Sequence, residues 1–112
     1  MNIKNFLATY DLHDSLITKI THNDDIVNFE LEFCYWRQEG YKDDEPETGI
    51  IELRFTNVQR FENGIQLGDI DYYSILEARI ENDTIILNIL DDFNDAYYTI
   101  SLEAKEVIVS KI

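Results

Sequence analysis

Glycine, proline and cysteine are scarce in this chain of 112 residues, which holds four, one and one of them. A lone thiol closes no disulfide within the chain, which fits a reducing cytosol. Cys34 lies in a strand-like run among acidic and aromatic residues, without the neighbouring positive charge that makes a thiol reactive. One cysteine and two histidines also exclude a Cys/His zinc site built from a single chain. Basic residues are the other shortage: nine Lys and Arg face 23 Asp and Glu, for a formal net charge of −14. Residues 1–56 and 57–112 each carry −7, so the charge belongs to the whole domain and not to a tail. A field of that sign repels phosphate backbones and anionic lipid, so neither nucleic acid nor a membrane surface is an expected partner. A basic protein would be attracted, with association that weakens as salt rises. No segment approaches the roughly 20 apolar residues of a membrane-spanning helix. The opening "MNIKNFLATYDLHD" has too short an apolar stretch for a signal peptide, so the expected location is cytoplasmic.

What is present is a core. Apolar residues make up 45% of the chain, with six Phe, seven Tyr and one Trp, a composition that disordered acidic chains lack. The length fits one domain, residues 1–112. The dominant pattern is period-two alternation. In 26–36, Val27, Phe29, Leu31, Phe33 and Tyr35 oppose Asn28, Glu30, Glu32 and Cys34, which reads as a half-buried strand. The same alternation recurs in 50–56 and 75–81, and the β-branched and aromatic runs 15–21, 84–90, 97–103 and 106–112 belong to the same class. Turn signals at 22–25, 81–83 and 91–95 are short enough to join antiparallel neighbours. Two connections are longer, 37–49 and 57–73, the second with a short edge segment near 58–62. Residues 3–8 allow one helical turn. The expected fold is all-β, a single-domain and mostly antiparallel meander of seven to eight strands, closing its core as a β-sandwich or a partly open barrel.

Residues 10–20, "YDLHDSLITKI", place three residue types of hydrolytic chemistry side by side: His13, Asp14 and Ser15. On an extended chain, neighbouring side chains point to opposite faces, so Asp14 would turn away from His13 and Ser15, and a triad needs all three to converge. No Gly-x-Ser-x-Gly elbow occurs. The expected role is architectural, with Asp14 or Ser15 satisfying turn backbone and His13 bridging a rim carbonyl and a carboxylate. The segment Asp91, Asp92, Asn94, Asp95 offers oxygen ligands but lacks the glycine and the distant Glu of a calcium loop, so it reads as a solvated turn. No catalytic residue, cofactor or metal ligand is assigned.

The stretch 34–47, "CYWRQEGYKDDEPE", is the most informative surface. Trp, Tyr and Arg most often anchor interfaces, and carboxylates beside them can steer a basic partner. Trp36, Tyr41, Asp43, Asp44, Glu45 and Glu47 are the candidate partner-binding residues.

Leu12, His13, Asp14, Ser15, Ile17 and Ile20, followed by an acidic turn and an alternating strand, resemble the Leu/Phe-His-Asp-Ser/Ala opening of a group of small bacterial proteins. That group looks like the immunity-protein families of bacterial polymorphic toxin systems and their uncharacterised relatives. "LRFTNVQRF" (53–61) is similar to a second feature of that group, a strand followed by Asn-Val and a short excursion. The resemblance implies an all-β fold and a binding role, with no catalytic role for His-Asp-Ser. The expected function is that of a non-catalytic acidic domain that neutralises a basic toxin or effector. The alternative is a small-molecule or metal-binding barrel, or an enzyme, that uses His13 and nearby carboxylates. Exposed strand edges would allow a homo-oligomer, which mutual repulsion at −14 disfavours outside a locally neutral patch, so the oligomeric state stays open.

Overall fold

Alternation places Val27, Phe29, Leu31 and Phe33 on one face of a strand, and all four are buried. In the computed structural model, which describes residues 1–63 and 68–111 and only the backbone of 68–72, that strand is β2 (Ile26–Cys34). It lies between β1 (Leu16–Asn23) and β3 (Thr48–Thr56). A second antiparallel run joins β5 (Gly68–Glu81), β6 (Thr84–Asp91) and β7 (Ala96–Glu103), and β1 pairs with β5 to fuse the two into one sheet. The outer positions are β4 (Arg60–Glu62) beside β7 and β8 (Glu106–Lys111) beside β3. The order is β4-β7-β6-β5-β1-β2-β3-β8, antiparallel throughout, and its two ends do not pair with each other. The expected all-β antiparallel meander is therefore what forms, as one eight-stranded sheet that stays unclosed.

A sheet with one apolar face must cover it. Register shifts between Ile17 and Lys19 in β1 and between Ile75 and Glu77 in β5 bend the two central strands. The curl brings Phe61 of edge strand β4 onto Phe29 of β2, with centroids 6.4 Å apart, and edge-on against His22 at 5.3 Å. The Val58 N–H donates to the Asp25 carbonyl at 2.9 Å and fixes the same contact. Helix α1 (Ile3–Thr9) covers the rest. Its N-cap Asn2 accepts from the Asn5 N–H at 2.7 Å, and Ile3 and Phe6 are buried. Phe6 meets Phe55 edge-on at 6.4 Å and Tyr10 at 5.3 Å, and Tyr10 in turn meets Phe33 at 5.9 Å. Ahead of α1, Met1 exchanges backbone hydrogen bonds with Val107, in one direction through its amino group. That contact occupies the start of the open edge of β8.

Two boundaries differ from those read in the sequence. Tyr35 and Trp36 do not continue β2 but form a 3-10 turn, Tyr35–Arg37, because the Trp36 N–H bonds the Glu47 carbonyl and the Gln38 N–H bonds that of Tyr35. The connection expected over 57–73 contains the first residues of β5. Gly and Asp at 68–71 read as a turn, yet the partnership with β1 overrides that propensity, with Asp69 opposite Lys19. Residues 64–67 of that connection lie outside the described residues.

The seven-residue helix is a structural lid on the core, so Phe6→Ala should cost about 3–5 kcal/mol, the range for deleting a buried phenyl ring. Urea unfolding measures it. A cost under about 1 kcal/mol, as at exposed sites, would mean that α1 does not seal the sheet.

Candidate functional site

Register places the starts of β1 and β3 (Leu16, Thr48) and the end of β2 (Cys34) side by side. Two segments, the corner before β1 and the loop between β2 and β3, therefore meet at one end of the sheet. A third, the turn after β6, leaves Leu90, opposite Ser74, in the other direction. The first is the corner at residues 11–15. Asp14 has φ of 69°, so the chain is not extended here and its carboxylate does not turn away from His13. Nδ1 of His13 is shielded from solvent and lies 3.2 Å from Asp14 Oδ1, without the alignment of a hydrogen bond. Ser15 is fully buried, and its Oγ accepts from the Cys34 N–H at 3.1 Å. Backbone bonds from Asp14 N–H to Ile75 O and from Ile75 N–H to Ser15 O, both 2.9 Å, tie the corner to β5. Leu12 is buried beneath it. This is a hydrogen-bonded corner whose serine hydroxyl is sealed from solvent.

Asp11, Arg37 and Gln38 hold the corner, and sequence reading did not single out any of them for it. The Asp11 Oδ1 accepts the His13 N–H at 2.9 Å. The Gln38 side chain accepts the Asp11 N–H (2.9 Å) and donates to the carbonyls of Asp11 (2.7 Å) and Cys34 (2.9 Å). Arg37 bridges the carboxylates of Asp11 (3.3 Å) and Asp14 (3.2 Å) and lies 5.4 Å from the Trp36 ring centre. A one-residue pattern cannot announce contacts 23 to 27 positions apart. Cys34, expected on the wet face of β2, is buried under this corner, and burial pushes its thiol pKa up, with Asp14 adding to the effect.

The second segment is the loop between β2 and β3. Tyr35 anchors it by covering the backbone of Gly49, where an added Cβ would lie 2.5 Å from the ring. Beyond it Trp36 stays 45% exposed. Trp36, Tyr41, Asp43 and Glu47 surround one recess of about 420 Å³. Asp44 and Glu45 are exposed on the same loop, outside that lining. The Tyr41 hydroxyl donates to the Glu45 carbonyl at 3.0 Å. Partial desolvation, then Glu47, Asp43, Glu45 and Asp44, push the Tyr41 pKa up. None of these four carboxylates has a hydrogen bond or ion pair among the described residues.

The third segment is the turn joining β6 to β7. Asp91 is not the solvated residue expected of a charged turn. It is 2% exposed, and its carboxylate accepts from the N–H groups of Phe93 (3.0 Å) and Asn94 (3.2 Å) and from the Asn94 amide (2.7 Å). The Asn94 amide is the main reason that its pKa lies below the ordinary range. The tied turn presents Phe93 at 92% exposure. Among the described residues, no three His, Cys, Asp or Glu side chains converge as metal ligands, and no helix is long and apolar enough to cross a membrane.

The chain matches no protein family, no curated protein and no solved structure.

Ser15→Ala leaves the buried Cys34 N–H unsatisfied and should cost about 1–3 kcal/mol by denaturant titration. Asp91 stabilises the fold while ionised. Because its folded pKa is lowered, that contribution is whole at neutral pH and is lost as pH falls below about 4. Asp91→Asn should therefore flatten the acid limb of the stability profile, and an unaltered limb would contradict the role of Asp91. Converting Asp43, Asp44, Glu45 and Glu47 to amides should lower the Tyr41 pKa part of the way, as followed by NMR of its ring carbon. The desolvation share would remain.

Proposed function

We propose that this chain is a cytoplasmic, non-catalytic, acidic β-domain that binds a basic protein and neutralises it as an immunity protein neutralises a toxin. The observation that carries the reading is the recess formed by Trp36, Tyr41, Asp43 and Glu47 on a chain of net charge −14. An exposed indole beside unpaired carboxylates supplies the two things an interface against a cationic protein needs. One is an aromatic anchor that gains by desolvation, and the other is a field that accelerates encounter. The resemblance of residues 12–20 to immunity-protein openings supports the same reading. The corner gives that motif a structural task, since Leu12, Asp14 and Ser15 fix the base on which the loop stands.

Neutralisation of this kind requires fast encounter and slow release. The carboxylates of residues 43–47 serve the first and the aromatic side chains the second. Burying the indole and phenol on binding is worth a few kcal/mol, about 25 cal/mol for each Å² of apolar surface removed from water.

Affinity capture from native lysate at low and moderate salt tests the reading. A single basic protein should be retained stoichiometrically at low salt and partly lost at moderate salt. Against that protein, the four-amide variant of residues 43–47 should associate about tenfold more slowly and show a flatter salt dependence. Retention of nothing specific at either salt would end the proposal. A small-molecule or metal role centred on His13 predicts a different outcome, in which His13→Ala abolishes function at an unchanged melting temperature.

A further inference from the structure

A groove of about 450 Å³ runs between α1, the corner and β5. Leu7 and Ala8 of α1, Leu12, and Leu76 and Ala78 of β5 contribute apolar groups to its walls, whose exposed surface is more polar than apolar overall. The shift in register between Ile75 and Glu77 takes Leu76 out of the regular alternation of β5. The rim is charged. It carries Asp11, Glu39 and Glu77, and one cation, Arg37, whose charge is already matched by Asp11 and Asp14. Glu77 accepts from the Asn88 amide at 3.1 Å and lies 3.7 Å from Arg79, while Glu39 has no hydrogen bond or ion pair among the described residues. His13 completes the rim. The groove adjoins the loop recess, because Arg37 on its rim packs against Trp36 in the other.

A trough that offers apolar groups beside carboxylates matches a side chain that is aliphatic along its stem and cationic at its tip. We propose that the groove receives an arginine or lysine side chain of the basic partner, the stem lying against Leu7, Leu76 and Ala78 and the head group at Glu39 and Glu77. The inference rests on the proposed binding of a basic protein and names the group that such a protein contributes. A purely apolar ligand would leave Glu39 without a counter-charge. A small anion would meet the repulsion of the rim carboxylates.

The test is a titration of the 15N-labelled protein with acetyl-triarginine amide, up to millimolar peptide at low salt, against the same peptide built from neutral citrulline. Saturable shifts are expected at the amides of residues 7–8, 12–13 and 76–78 with the arginine peptide only. Glu39→Gln with Glu77→Gln should weaken binding about fivefold, as the loss of two half-exposed ion pairs would. Ala8→Phe fills the groove from an exposed helix position without altering charge, and should abolish these shifts while the melting temperature holds. Shifts confined to residues 43–47 and kept in Ala8→Phe would overturn the groove while leaving the basic-partner reading intact. Equal binding of the citrulline peptide, or no shift at all, would overturn it as well. Failure of the basic-partner reading shows separately, as the absence of any captured protein.

Discussion

An eight-stranded sheet with one apolar face has no second sheet here to lie against, and that constraint organises the molecule. The apolar face holds Phe29, Phe33, Phe55, Ile100 and their neighbours, all but inaccessible to water. Two devices make this possible. The central strands are bent by register shifts, so that β4 at one edge reaches β2, and α1 inserts Ile3 and Phe6 where the curled sheet does not meet itself. Aromatic edge contacts from Phe6 through Phe55 to Phe29 join the helix to the sheet centre. The long side chains span a gap that aliphatic residues would leave unfilled.

The same constraint explains why the corner and the loop recess gather at one end. Convex strand surfaces carry ladders of polar residues such as Glu77 with Asn88 and Asn28 with Arg54, ordinary for a wet sheet face. The loops at the end near Ser15 and Cys34 are free of sheet pairing yet held by it. The corner at 11–15 holds Gln38 and Arg37, and these carry the residues that follow. The loop between β2 and β3 is in effect an extension of the first corner, with its aromatic groups presented from a hydrogen-bonded base. Such preorganisation lowers the ordering cost that a partner would otherwise have to offset.

Period-two alternation made β2, β3 and the second half of β5 legible, because burial on one face imposes it directly, and β-branched and aromatic composition marked β1, β6, β7 and β8. The apolar positions near 58–62 marked the short edge segment, and residues 3–8 allowed the helical turn that forms as α1. What stayed hidden was set by tertiary contacts. Asp69 and Gly68 have the composition of a turn, and only pairing with β1 makes them strand. The turn at Tyr35 depends on the Glu47 carbonyl, twelve residues on. Of the surface residues chosen from the loop, four share a recess while Asp44 and Glu45 stand beside it. Asp11 and Gln38, which organise the corner, are unremarkable in sequence because each acts through its partner. Phe93 looked like part of a solvated turn, and only the buried carboxylate of Asp91 shows that its exposure is imposed.

The non-glycine residues with positive φ among those described are Asp14, Asp24, Asn57, Asn82 and Asp95. With so few glycines, the chain assigns its left-handed turn positions to the two other residue types that accept them readily. Asp11 and Asp91 cap backbone N–H groups in the same spirit. Part of the negative charge is thus a by-product of geometry, fixed by how the backbone turns and not by what the surface must attract. The carboxylates of 43–47 are of another kind, since no backbone group or cation of the described fold needs them. Charge that the fold does not use could be removed without structural penalty, which sets the acidity of that loop apart from the acidity of the turns.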